Sequence, residues 1–343
     1  MNGLLSILHP DRPVCIVVHN NPDPDSLASA MALQYFLKKK GFPRVRAIYN
    51  GFIGRAENKA MIKILKIPIH HLKNARIPSR RQFVLLDSQP GAGNVTLPEN
   101  AEPLAAIDHH PLRQRTKRLS FYDVRPNYGA CSTIIYEYLV SEDIVIPAPV
   151  ATALFHAIFS ETQGLGREGS PEDKKAYLDL LPRVNFKRLS RIQYPPLSRD
   201  FISNLQRVLT RGFYYRQLAG AILEELPYPD FAAEIADFLL RIKNIRWSIC
   251  LGNYADLIYV SIRSNTTHAN AARLLKKAIP KSGTAGGHEL IAGAQVRIGR
   301  DEIEKVGALK REIVRKVLRE LYHTNIDSVI HLVSDEPILF PTD

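Results

Sequence analysis

Cysteine is scarce in this chain of 343 residues: Cys15, Cys131 and Cys250 stand far apart and in no metal-ligand spacing. A cysteine-built metal site is thereby excluded, and three isolated thiols fit a protein kept in the reducing cytoplasm. Cys15 falls inside an apolar run, where a thiol behaves as a small hydrophobic group. No apolar stretch is long enough to cross a bilayer, so no membrane association is expected. The start, Met1 to His9, lacks the basic segment, long apolar core and cleavage site of a signal peptide. No internal repeat or low-complexity tract is visible. Acidic residues are also in deficit, 34 against 46 Lys and Arg, for a net charge of +12. Such a charge biases encounter towards anionic partners without saying which.

What is present is the composition of a soluble globular protein, 45% hydrophobic and 23% charged. The length allows two domains of ordinary size, each with its own core. The informative stretch runs from Val14 to Ser26. An apolar run of strand length ends on His19, Asp23 and Asp25 follow among two prolines, and a helix-forming segment begins at once. Continuous Val/Ile runs read as strands buried on both faces, and ligands in open α/β sheets sit beyond the carboxyl ends of such strands. Asp25 and Ser26 can cap the following helix, which accounts for one acid but not for His19 or Asp23.

The arrangement recurs twice. Phe83 to Leu86 ends on Asp87, and Leu104 to Ile107 ends on Asp108-His109-His110. Three strand ends thus deliver ionisable groups to one edge of one sheet. Imidazole and carboxylate together suit Mn²⁺, Zn²⁺ or Fe²⁺ better than Ca²⁺, which prefers oxygen alone.

His-x-x-x-Asp-x-Asp after one strand, a lone Asp after a second and Asp-His-His after a third resemble the first three motifs of the DHH phosphoesterases. Ser160-Glu161-Thr162 stands where the fourth motif belongs, with glutamate in place of the usual aspartate. Gly286-Gly287-His288 resembles the Gly-Gly-Gly-His signature of the DHHA1 domain, with Ala285 at the first position. Within that superfamily the chain looks like the nanoRNase and pAp phosphatase group, which is RecJ-like.

The resemblance implies an α/β fold: a mostly parallel sheet flanked by helices over residues 1–190, a basic helical connector over 191–228, and a smaller α/β domain over 229–343. It implies two divalent cations, manganese first among them. His19, Asp23 and Asp87 would hold one; Asp25, Asp87, His109 and Glu161 would hold the other. The extra methylene of Glu161 displaces its carboxylate by roughly an ångström, against a tolerance of about ±0.2 Å, so either the loop compensates or the second cation is held weakly. Two cations about 3.5 to 4 Å apart can share a water and lower its pKa, so that a bridging hydroxide attacks phosphorus.

Asp108 would orient the neighbouring histidines and His110 would touch the scissile phosphate and serve the leaving oxygen. Arg263, Gly286, Gly287 and His288 would grip a terminal phosphate or nucleotide in a cleft between domains. The implied activity is hydrolysis of short oligoribonucleotides or of 3'-phosphoadenosine 5'-phosphate, by a cytoplasmic enzyme whose assembly to consider is a homodimer. The alternatives are a RecJ-like single-strand exonuclease, a cyclic-dinucleotide hydrolase, or a catalytically weak nucleotide-binding sensor. Inorganic pyrophosphatase ranks lower because its second domain lacks the Gly-Gly-His pattern.

Local patterns place the remaining elements. Helices are expected over 27–40, 55–65, 152–160, 201–210, 230–240, 270–278 and 301–321, and strands over 45–49, 247–251, 257–262 and 329–333. His156 is expected to be a hydrogen-bonded core histidine, His70-His71 to be surface structure, and 282–294 to be a glycine loop.

Overall fold

Val14–Val18 is buried at every position, as a strand covered on both faces must be. This strand, β1, lies at the centre of the first of two units in the computed structural model, which describes residues 2–77, 80–166, 169–287, 289–299, 305–324, 326, 328–334 and 336–339. The units are Met1–Pro196 and Leu197–Asp343.

The first unit begins with a short helix, α1 (Asn2–Ile7), which sequence patterning does not reveal. After β1 come α2 (Pro24–Lys39), β2 (Val45–Tyr49), α3 (Ala56–Leu65) and β3 (Ile69–His71). Then follow β4 (Gln82–Leu86), β5 (Pro103–Asp108), β6 (Phe121–Val124), α4 (Cys131–Val140), α5 (Ala148–Glu161), α6 (Pro171–Leu180) and α7 (Phe186–Gln193). The six strands form a parallel sheet in the order β3-β2-β1-β4-β5-β6. The chain therefore leaves β1 in one direction for β2 and β3 and resumes on its other side with β4. Such a reversal opens a crevice beyond the carboxyl ends of the two central strands, here β1 and β4.

One face of this sheet, with Ile16, Val84 and Ile107, packs on α2, α4 and α5 through Leu33, Ile134 and Leu154. Cys15, Val17, Phe83 and Leu85 point to the other face, where Leu72, Val95 and Leu97 of connecting segments cover them. The alternation along β1 is that of any strand; having apolar cover on both sides makes the run continuous.

The second unit contains α8 (Arg199–Arg211), β7 (Gly212–Tyr215), β8 (Leu218–Glu225), α9 (Phe231–Leu239), β9 (Trp247–Tyr254) and β10 (Leu257–Ser264). It continues with α10 (Ala271–Ala278), β11 (Gly283–Gly287), β12 (Ile291–Arg297), α11 (Val306–Tyr322), β13 (Ser328–His331) and β14 (Pro337–Leu339). Eight strands pair in the order β11-β12-β10-β9-β8-β7-β13-β14, antiparallel except for β8 with β9. Ile249 and Leu251 face a core shared with α10 and α11, while Cys250 faces one shared with α8 and α9. The α/β class holds for both units. Among the described residues, no helix is long and apolar enough to cross a membrane.

Two expectations are corrected here. The basic stretch 191–228 is no helical connector: Leu197 onward belongs to the second unit, and β7 and β8 are interior strands of its sheet. Its arginines, Arg191, Arg199, Arg207, Arg211 and Arg216, are all exposed, while Phe213, Leu218, Ala219 and Ala221 go into the cores. The stretch 282–294 is not a glycine loop either, because Gly286 and Gly287 lie in β11, opposite Gly293 and Ala292 of β12. At Gly287 (φ +140°) an added Cβ would come within 2.2 Å of the Ile291 carbonyl oxygen, so this glycine is required by close strand approach.

Candidate metal centre

His19 is the first residue beyond β1, Asp87 the first beyond β4, and His109 and His110 follow β5. Parallel pairing in register brings these ends side by side, and the structure unites His19, Asp23, Asp25, Asp87, Asp108, His109 and His110 at the sheet's carboxyl edge. Asp87 is central. It is 1% exposed and holds a left-handed φ of +55°, a conformation uncommon for a residue with a side chain.

Three imidazole nitrogens surround its carboxylate. His19 Nε2 lies 3.5 Å from Oδ2, His109 Nε2 3.6 Å from Oδ1 and His110 Nδ1 3.9 Å from Oδ1. These separations exceed hydrogen-bond length, and Asp87 Oδ1 is buried without a hydrogen-bond partner among the described residues. A buried acceptor left unpaired costs about 1–3 kcal/mol, more when charged. A cation seated among these donors would satisfy it.

Two groups have one ligand atom per residue all within 4.8 Å of one another: His19, Asp23 and Asp87, and Asp87, His109 and His110. In the second group His110 Nδ1 is already 2.8 Å from Asp108 Oδ1, so His109 is the better-placed donor. Each of the other two rings is oriented by a carbonyl. His19 Nδ1 is 2.8 Å from the Asn20 carbonyl oxygen and His109 Nδ1 is 3.1 Å from that of Tyr128. With Nδ1–H donated there, Nε2 faces the acids and is the nitrogen that would give its electron pair to a cation once its proton leaves, the usual way a protein fixes a ligating histidine.

The helix cap differs from expectation. Asp23, not Asp25, caps α2: its Oδ1 accepts from the Ser26 backbone N–H at 2.9 Å while its Oδ2 lies 3.4 Å from His19 Nε2. Pro22 and Pro24 thus frame an acid that serves both helix and site. Asp25 is engaged by α4 instead. Its two oxygens accept the backbone N–H groups of Cys131 (2.7 Å) and Ser132 (2.8 Å), closing the N-terminus of α4, whose own cap residue Ala130 offers none. Asp25 Oδ2 is also 3.8 Å from His109 Nε2. Glu161, the last residue of α5, contributes to the field on Asp25 and His109 but belongs to neither group.

The electrostatics are those of crowded acids and imidazoles. Burial, together with the nearby Asp87 carboxylate, pushes Asp25 up to about 8. Burial opposes protonation of His109, yet Asp87, Asp25 and Glu161 raise it to about 9; His19 is likewise raised well above a free imidazole by Asp23 and Asp87. Bound protons hold this centre's charge in check, a role that a divalent cation can take over.

Asp108 is held by its neighbours. Despite its burial, hydrogen bonds from His110 and Gln89 lower it to about 2. Its Oδ1 accepts the His109 backbone N–H at 2.9 Å as well as His110 Nδ1, and its Oδ2 accepts Gln89 Nε2 at 2.6 Å. Gln89 escapes sequence reasoning. It is fully buried, and its Oε1 also accepts from the Arg113 backbone N–H and the Thr116 hydroxyl, tying the Asp87 loop to the loop after β5. The only local signal is a polar residue two places beyond Asp87, in a segment that must turn.

The other expected site residues lie in the second unit. Arg263 is 8% exposed, its Nε bonded to Asp237 (2.7 Å) and its Nη1 to the Ser261 hydroxyl and the Ile262 carbonyl. Gly286 and Gly287 lie on the sheet-edge strand β11. His288 lies outside the described residues. His156 is a core residue of α5, 5% exposed, but neither ring nitrogen has a hydrogen-bond partner among the described residues, contrary to expectation. His71, as a structural residue, reaches the Gly51 carbonyl and caps a short turn.

Residues 13–158 match the model of the DHH family, N-terminal domain. An uncharacterised protein of Methanocaldococcus jannaschii is 32% identical over 326 residues, which cover 94% of this chain and 65% of that protein. A probable manganese-dependent inorganic pyrophosphatase of Enterococcus faecalis is 25% identical over 150 residues, 43% of this chain and 48% of that protein. The chain thus spans about two-thirds of the first relative and about half of the second. An exopolyphosphatase-related protein from Bacteroides fragilis shares the fold at 18% identity, with a TM-score of 0.68 over 90% of this chain and 94% of that one.

Proposed function

From the match of residues 13–158 to the DHH family's N-terminal domain we propose that this protein is a DHH-family hydrolase of phosphoester bonds dependent on divalent cations, with manganese as the ion. Its proposed substrates are short oligoribonucleotides and 3'-phosphoadenosine 5'-phosphate. The observation that carries the reading is the buried, unpaired Asp87 oxygen set among imidazole nitrogens, a donor set of mixed His and Asp that suits a transition metal.

His19, Asp23 and Asp87 would hold one cation; Asp87 and His109, flanked by Asp25 and Glu161, would hold a second. When bound, such a pair supplies an activated water and offsets charge on the phosphoryl oxygens. The chain's own residues do the rest. The carbonyls of Asn20 and Tyr128 keep His19 and His109 turned towards the acids. Asp108, fixed by Gln89, accepts from His110 Nδ1 and so leaves His110 Nε2 to carry a proton. The His110 side chain is 45% exposed, so that nitrogen can reach a bound substrate and deliver its proton to the leaving oxygen. In the second unit, Arg263, Gly286, Gly287 and His288 are the proposed recognition group, supported by the excess of positive charge.

A second reading, hydrolysis of inorganic pyrophosphate, is favoured by the relative from Enterococcus faecalis, whose match covers less than half of this chain. One assay separates the two. The purified protein with added Mn²⁺ is given ribonucleotides of two to five residues, 3'-phosphoadenosine 5'-phosphate and pyrophosphate. Mononucleotide or phosphate released from the first two at rates well above pyrophosphate cleavage is the expected result. Pyrophosphate as the preferred substrate would overturn the substrate assignment, and no turnover of any of them with Mn²⁺ would leave the binding-protein alternative standing.

A further inference from the structure

A second concavity in the N-terminal unit shares no residue with the metal centre. It lies between α3 and α7, encloses about 670 Å³, and is walled by Lys63, Ile64, Arg188, Arg191, Tyr194 and the Pro195-Pro196 pair. We propose that it binds a nucleotide, with the phosphate at the three cations and the base against Tyr194.

The chemistry of the wall supports this. α7 buries Leu189 and Ile192, so Arg188 and Arg191, three residues apart, come together on its outer side. Lys63 approaches from the last turn of α3. No lining residue is acidic, and among the described residues none of the three cations has a carboxylate partner. Three like charges around one hollow repel one another, and an anion relieves that repulsion. A bare phosphate would use only this part of the wall.

The rest of the lining is largely apolar. Tyr194 is 81% exposed, a large ring held in water at the end of α7 and followed by two prolines that stiffen the backbone. Ile64 and Ala60 also line the hollow. A wall that combines three cations with an exposed ring matches a ligand with a charged end and a planar apolar end. Nucleobases stack on such rings whatever their sequence, and the volume falls within the roughly 300–1,000 Å³ of small-molecule sites.

The test is calorimetric titration of the 343-residue chain with 5'-AMP in EDTA, beside adenosine, inorganic phosphate and tripolyphosphate. One AMP per chain is expected, with adenosine and phosphate each bound at least about tenfold more weakly. Tyr194→Ala and Arg191→Ala, both at exposed positions, should each weaken AMP by at least about fivefold, the low end of base stacking. Asp87→Asn should leave the affinity unchanged. Failure of AMP to saturate below about 10 mM, or loss of binding in Asp87→Asn with none in Tyr194→Ala, would overturn the proposal. So would tripolyphosphate binding as tightly as AMP and indifferently to Tyr194→Ala, which would make the hollow a polyanion site.

Discussion

Gln89 Nε2 donates to Asp108 Oδ2 at 2.6 Å, and the other oxygen of Asp108 takes His110 Nδ1 at 2.8 Å. One buried amide therefore fixes the carboxylate that fixes the exposed imidazole. Replacing Gln89 by Leu leaves Asp108 Oδ2 and the Arg113 backbone N–H without that partner. The expected result is a fall in kcat of about 10- to 100-fold with KM little changed, the usual cost of losing an orienting residue around a metal. Steady-state kinetics beside a circular dichroism spectrum check it; an unchanged kcat would mean that His110 needs no such support.

Asp87 is the residue whose charge a cation would balance. In Asp87→Asn, turnover with Mn²⁺ should be lost while the fold persists. Manganese at 100 times its Kd should stabilise the unsubstituted protein by about 2.7 kcal/mol and leave the variant unmoved. Thermal melts with and without Mn²⁺ measure both, and equal shifts in the two proteins would place the ion elsewhere.

Burial alone lowers His156 to about 4. The unfolded chain, with a histidine near its ordinary 6.5, binds the extra proton first as pH falls. Stability from this residue is therefore complete above about pH 6.5 and declines down to about pH 4, by roughly 3 kcal/mol in all. His156→Leu, which removes two unpaired ring nitrogens, should flatten that part of the curve. Urea midpoints at pH 7, 5.5 and 4.5 for both proteins would show it; parallel curves would dismiss the residue's role.

Gly51 sits at φ +79°, and a Cβ there would stand 2.3 Å from Asn21 Oδ1, the acceptor of the Phe52 N–H. Gly51→Ala must therefore push the Asn21 side chain off the Phe52 N–H and hold alanine at a left-handed φ. A loss of roughly 1–3 kcal/mol is expected, with reduced activity because Asn21 lies between His19 and Asp23. A fully active variant with an unchanged melting temperature would show that this turn has slack.

The strand ends were legible because a parallel sheet needs only local apolar runs to declare its strands, and acids at their carboxyl ends stand out against those runs. His19, Asp87 and His109 could thus be placed together without coordinates. Helices of the second unit such as α9 and α10 were legible for the same reason, through their 3.6-residue period. The strands β7 and β8 were not, since a basic helix precedes them and, beyond their pairing with each other, their outer neighbours β13 and β9 lie later in the chain.

The amino-acid sequence by itself determined that acids and imidazoles gather at one edge of a parallel sheet, because strand direction and hydrophobic run length are local properties. Tertiary structure alone decided how each is employed. Asp25 serves amide groups more than a hundred residues away, Asp23 divides its oxygens between a helix end and His19, Gln89 anchors Asp108, and Arg263 is bound by Asp237. Hydrogen-bond partners are chosen by proximity in the folded chain, and proximity across such distances leaves no periodic trace in the order of residues.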